Sequence, residues 1–113
     1  MPFINVKTNV EVPESKRINI KSALGQAIEI LPGKSEIWLM VNIEPECMLW
    51  FQGEDLPASM VEVSLLGGVP ANVYDKFTEQ LCHIIETELS IPRGRIYVKF
   101  IETEHWGWKG SML

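Results

Sequence analysis

Pro2 carries the most distinctive chemistry in the chain. Removal of Met1, usual before a small residue such as proline, leaves a secondary amine on a rigid ring at the start of a strand. An α-amino group titrates near ~8, and burial or a neighbouring cation moves it toward neutrality, as a general base near pH 7 requires. With Met1 in place the same nitrogen is an amide and has no such role. Met-Pro starts are common, so the dipeptide gains meaning only from its surroundings. Lys34 follows the Pro32-Gly33 helix stop and precedes an apolar strand, which places its ammonium over the sheet end beside the chain start; a solvated loop lysine is the ordinary alternative. Tyr97 and Lys99 lie two apart on the last strand and share a sheet face, with Val98 and Phe100 facing the other way.

Other chemistry-bearing residues form no constellation. His83 falls on the polar flank of a helix and His105 in the tail, without a partner at metal-ligand spacing. Gly67-Gly68 lacks the spacing and the Lys-Ser/Thr of a phosphate loop. Arg93 and Arg95, at the start of the last strand, read as solvated. Cys47 and Cys82 are far apart and form neither a disulfide framework nor a CxxC pair. A reduced, cytoplasmic compartment is the expectation, and with no signal sequence any export would bypass the usual route.

The 113 residues carry 15 Asp plus Glu against 10 Lys plus Arg, a net charge of −5, with 46% hydrophobic residues. These values describe one acidic domain over residues 1–113, able to bury roughly two-thirds of its unfolded surface without disulfides or metals. Scattered basic residues under a negative total argue against nucleic acid as a partner. The densest apolar run, Ile37 to Ile43, is too short to span a bilayer.

The elements that must position these residues follow from periodicity. Ile4, Val6 and Thr8 alternate with polar neighbours and predict a strand from about residue 2. Ile20, Leu24, Ala27, Ile28 and Leu31 recur at helical spacing between Pro13 and Pro32-Gly33. Ile37 to Ile43 reads as a buried strand, Glu44-Pro45 as a turn, Met48 to Phe51 as a short apolar segment and Gly53-Glu54-Asp55 as a loop. Met60 to Leu66 then reads as a strand, the stripe Val73, Phe77, Leu81, Ile84, Ile85 and Leu89 as a helix, and Ile96 to Ile101 as the last strand. Pairing residue 2 with 61, Lys34 with Arg93 and Trp38 with Tyr97 predicts a repeat of 59 residues, with units near 2–59 and 61–113. Two β-α-β units with right-handed crossovers give an α/β (α+β) fold, a four-stranded sheet with both helices on one face. The other face is left uncovered and is expected to be apolar, with Trp38, Met40 and Val61 as candidates, which predicts a homo-oligomer with its sheets turned inward.

Taken together, these features resemble the macrophage migration inhibitory factor family of the tautomerase superfamily over essentially the whole chain. The matching landmarks are Met1-Pro2 with Thr8-Asn9-Val10, Gly33-Lys34, Phe51 and Gly53, Ser64-Leu65-Leu66-Gly67-Gly68, Arg95-Ile96-Tyr97, and Gly107-Trp108 with Gly110-Ser111. The resemblance implies a homotrimer that tautomerises phenylpyruvate-type α-keto acids and dopachrome-like compounds at sites between subunits, without a metal or other cofactor. By resemblance, Pro2 is the catalytic base, Lys34 the cation that holds the substrate carboxylate, Ser64, Leu65 and Leu66 the pocket wall, and Tyr97 an aromatic residue from the neighbouring subunit. Lys99 replaces an asparagine of the mammalian members and brings a second cation to the expected site. Trp106 replaces a smaller aliphatic residue and is expected to narrow the mouth.

The CxxC pair of some members is missing from Leu56-Pro57-Ala58-Ser59-Met60, so thiol oxidoreductase activity is not expected. A related dehalogenase or hydratase would want an additional arginine near the pocket. The alternative function is a cytokine-like, receptor-binding protein with a vestigial site. For that role the receptor-engaging arginine has no counterpart around Glu11 and Val12, although Glu46 matches its acidic partner.

Overall fold

The computed structural model describes residues 1–113. Its elements run β1 (Pro2–Thr8), α1 (Glu14–Ala27), β2 (Met40–Glu44), β3 (Ser59–Leu66), α2 (Ala71–Leu89), β4 (Ile96–Thr103) and a tail hairpin of β5 (Gly107–Trp108) and β6 (Ser111–Met112). One four-stranded sheet has the order β2-β1-β3-β4, with β1 and β3 antiparallel at its centre and each flanked by its own parallel partner. The α+β architecture expected from the two β-α-β units is the one observed.

The repeat is shorter than the sequence landmarks suggested. Pro2 to Ser59, Glu14 to Ala71 and Glu36 to Arg93, the starts of equivalent elements, are each separated by 57 residues rather than 59. Lys34 and Arg93 are not structural equivalents, because the 3-10 turn 36–38, not Lys34, corresponds to the turn 93–95.

Helix α1 opens where Pro13, which cannot continue a helix backward, offers its carbonyl to the amides of Lys16 and Arg17 at 2.9 and 3.0 Å. Its apolar stripe, Ile20, Leu24, Ala27, Ile28 and Leu31, is buried throughout, although the last turn tightens to a 3-10 turn at 28–30. Gly33, at φ +77°, then reverses the chain in a conformation that disfavours a Cβ, and Lys34 follows directly. Helix α2 buries Phe77, Leu81, Ile84 and Ile85 and ends at Ser90 in the left-handed region, whose amide donates to the Glu86 carbonyl at 3.0 Å. Both stripes pack on Ile4, Val6, Val61, Val63 and Leu65, which form the covered face of the sheet.

Two expectations change here. Ile37 to Ile43 is not a continuous buried strand: residues 36–38 form a 3-10 turn, Ile37 is 81% exposed, and only Met40–Glu44 pairs, as an edge strand. The uncovered face is also not an apolar sheet. Val61 is fully buried against the helices and Trp38 lies outside the strands, so of the three candidates only Met40 stands on that face. A polar row crosses its middle, Asn42, Asn5, Glu62 and Lys99 on four adjacent strands, between rows that begin at Met40, Phe3 and Ser64 and at Glu44, Lys7 and Met60. Burial alternates along β3 and, apart from Asn5, along β1, and register decides which of their residues meet. No helix is long and apolar enough to cross a membrane.

Candidate active site

Strand pairing brings the chain start, the Lys34 turn and the end of β3 to one end of the sheet. Pro2 is buried and pairs with Leu65. The backbone of the next residue, Leu66, is used on both sides: its N–H donates to the Met1 carbonyl at 3.3 Å, and its carbonyl accepts from Lys34 Nζ at 3.5 Å. In the unprocessed chain the free amine belongs to Met1. Burial and then the adjacent Lys34 ammonium, by charge and by hydrogen bond, push that amine below the usual α-amino value. Gly67, at φ +78°, turns the chain away, and its N–H donates to the Thr103 carbonyl at 2.9 Å, so the tail leaves β4 at the same end.

Aromatic residues gather at this end as well. Trp38 precedes β2, whose Met40 pairs with Phe3, and the Trp38 ring meets Trp108 of the tail hairpin edge to face at 5.1 Å. Trp106 is half-buried at the root of the hairpin, its carbonyl accepting from the Leu113 amide at 2.9 Å. The arrangement brings a chain-start nitrogen, one ammonium and a backbone N–H to the sheet end at which Trp38 and Trp108 also lie. It suits an anionic substrate that gives up a proton.

The remaining site residues divide. Leu65 is fully buried in the core, so its side chain packs against the helices rather than forming a pocket wall; the Leu66 backbone is what faces the site. Ser64 is half-buried on the uncovered face beside Phe3. Tyr97 pairs with Met60 and, through it, with Lys7, which puts it at the opposite end of the sheet from Pro2. There it lines a cavity of about 160 Å³ with Trp50, Phe51, Met60 and Arg95, its ring edge-on to Phe51 at 4.8 Å. Within one protomer, Pro2 and Tyr97 cannot act on the same small molecule. Lys99 is not a free second cation: its Nζ lies 3.1 Å from Glu62 Oε2.

Of the two arginines expected to be solvated, Arg93 is exposed and Arg95 is not. Arg95 is half-buried over Phe51 and donates to four carbonyls, those of Phe51, Glu54, Leu56 and Pro57, at 2.8–3.2 Å, which ties the loop before β3 to β4. Arg93 pairs with Glu79 and Glu86 of α2 at 3.1 Å. His83 and His105 are exposed, and no group of His, Cys, Asp and Glu is arranged to hold a metal. Sequence reasoning missed the Leu66 peptide, because backbone groups leave no mark on residue type. It also missed the Glu62 hub, which the β1–β3 register would have revealed.

The sequence model for macrophage migration inhibitory factor (MIF) matches residues 1–113. The chain belongs to the MIF family. MIF proteins are part of the tautomerase superfamily. The Leishmania major MIF2 crystal structure superposes on this MIF-family chain with a TM-score of 0.94 at 31% identity, covering 100% of this chain and 97% of that one. The MIF homologue of Prochlorococcus marinus gives 0.80 at 29% identity, covering 97% of both chains. Xenopus laevis macrophage migration inhibitory factor is 25% identical over 98% of this chain and 97% of its own length.

Proposed function

We propose that the chain is a keto–enol tautomerase of small α-keto acids of the phenylpyruvate type and of dopachrome-like compounds, with Pro2 as general base once Met1 is removed. The observation that carries this reading is the convergence of the chain-start nitrogen, the Lys34 ammonium and the Leu66 N–H at one sheet end. Removal of Met1 frees the Leu66 N–H, which holds the Met1 carbonyl, and opens the space beside Lys34 that the Met1 amine takes up. A substrate carboxylate or a developing enolate oxygen is the natural replacement for that carbonyl. Pro2 is itself buried and next in the chain, and burial together with a nearby ammonium favours the neutral, basic form of an amine there.

The reaction transfers protons only. Toward the enol, the Pro2 nitrogen takes a proton from the carbon next to the ketone, the C–H pair becomes the C=C bond, and the carbonyl oxygen accepts a proton from Pro2 or water. Ketonisation is the reverse, so no oxidant or other co-reactant is consumed.

The site is completed in a homotrimer, with Tyr97 and Lys99 of one subunit reaching the Pro2 end of the next. Exposed Met40, Trp50, Tyr97 and Ile101 at the sheet edges and ends supply apolar surface for such an assembly. The test is Lys34→Ala assayed with phenylpyruvate and with its methyl ester. Loss of a charged hydrogen-bond donor costs ~1.5–3 kcal/mol, so KM for the acid rises about tenfold or more while the ester is little affected. Equal loss on both substrates removes Lys34 as the carboxylate ligand.

A further inference from the structure

The uncovered sheet face holds a charged cluster that the proposed reaction does not use. Glu62, near the middle of β3, has both carboxylate oxygens occupied by different partners: Oε1 lies 3.2 Å from Lys7 Nζ and accepts from Asn5 Nδ2 at 3.4 Å, while Oε2 lies 3.1 Å from Lys99 Nζ. Asn5, only 8% exposed, also donates to Glu44 at 2.7 Å and accepts from Asn42 Nδ2 at 2.9 Å, so the carboxylate is fixed from one side by a shared amide network. The Glu62 side chain is 19% exposed against 52% for Lys99, so the carboxylate is the more enclosed partner and the ammonium the more exposed one. Lys99 and Tyr97 stand two residues apart on the same face of an edge strand.

We propose that Glu62 is a positioning residue that holds the Lys99 ammonium beside Tyr97, offsets part of its charge and thereby limits how strongly the site attracts a carboxylate substrate. The proposal rests on the tautomerase reading for the placement of Tyr97 and Lys99 at a neighbouring Pro2. With Glu62 in place, Lys34 is the cation that binds the carboxylate and Lys99 contributes a tethered ammonium whose charge Glu62, shared with Lys7, offsets in part. Without it, Lys99 becomes a second free cation on a flexible stem, and anionic substrates bind more tightly than neutral ones.

The test is Glu62→Gln, alone and combined with Lys99→Asn, in the Met1-processed protein. Phenylpyruvate and its methyl ester report turnover, and the non-reacting acid 3-phenylpropionate reports binding through tryptophan fluorescence. In the single variant, KM for the acid and Kd for phenylpropionate are expected to fall roughly threefold, the size of one partly screened charge interaction. The ester should change less, and the gain should vanish when Lys99 is asparagine. Glu62→Asp, which keeps the charge, should return both constants toward those of the parent. A parent that is inactive but binds phenylpropionate more tightly after Glu62→Gln overturns the tautomerase reading and leaves the role of Glu62 standing. An unchanged Kd, the same shift in the Lys99→Asn background, or parallel losses on acid and ester overturn the proposal. If Glu62→Gln fails to fold, Lys99→Asn alone decides: the proposal expects its effect on KM for the acid to be far smaller than that of Lys34→Ala, and an equal effect refutes it.

Discussion

At the scale of single residues, the chain-start nitrogen and Lys34 are linked by charge as well as position. Burial and Lys34 depress the Met1 amine of the unprocessed chain; a Pro2 amine in the same surroundings is expected to follow, its neutral form fully available above the lowered pKa and lost as pH falls through it. Activity in the processed protein is therefore expected to be flat at alkaline pH and to fall on acidification. Lys34→Ala removes one of the two depressing influences and should move that fall to higher pH, which a kcat/KM profile of the ester, whose binding needs Lys34 least, will show. Residue type singled out Pro2 and Lys34 as candidates, and the order of elements placed both at the chain-start end of the sheet; their roles came from the family resemblance. The fates of Lys99, Arg95 and Leu65 were not legible in the same way. Each depends on which side chain or carbonyl arrives opposite, and composition does not say whether an arginine meets water or four carbonyls.

At the scale of elements, the turn that carries Lys34 and the loop that Arg95 ties down are the parts whose geometry matters most. Gly33 holds a positive φ of 77°, so Gly33→Ala strains the turn by roughly 1 kcal/mol and displaces the ammonium. The expected result is a modest loss of thermal stability with a larger rise in KM for acids than for esters. Arg95→Lys cannot reproduce a fork shared among four carbonyls, and a loss of about 1–2 kcal/mol is expected, with faster proteolysis between residues 49 and 58.

In the sheet, the Lys99 ammonium, with Lys7 behind it, holds the Glu62 carboxyl below its ordinary range against the opposing effect of burial. A depressed carboxyl stabilises the fold above its unfolded-state pKa, and that contribution is lost as pH falls through the folded value. Melting temperatures taken between about pH 5 and pH 3 should therefore drop less steeply in Glu62→Gln than in the parent. The helices were legible because their stripes survive whole. The segment 37–43 differs from expectation because an apolar run looks the same in sequence whether its side chains are buried or, like those of Ile37 and Met40, exposed.

For the whole molecule, Pro2 and Tyr97 lie at opposite sheet ends, so the proposed shared site requires assembly. Sedimentation is expected to give three times the 12.9 kDa chain mass, and a monomer would remove Tyr97 and Lys99 from any shared site. The doubled β-α-β plan was visible in the order of elements, but its period was two residues off because the landmarks were matched by residue type rather than by element. The central claim is that the Pro2 nitrogen is the base, and its most direct test is phenylpyruvate ketonisation followed by absorbance, on protein whose N-terminus is confirmed as Pro2 by intact mass, beside Pro2→Gly. The account expects turnover in the parent and its collapse in the variant with the fold and assembly intact. A correctly processed trimer without activity, or a Pro2→Gly variant as active as its parent, would contradict it.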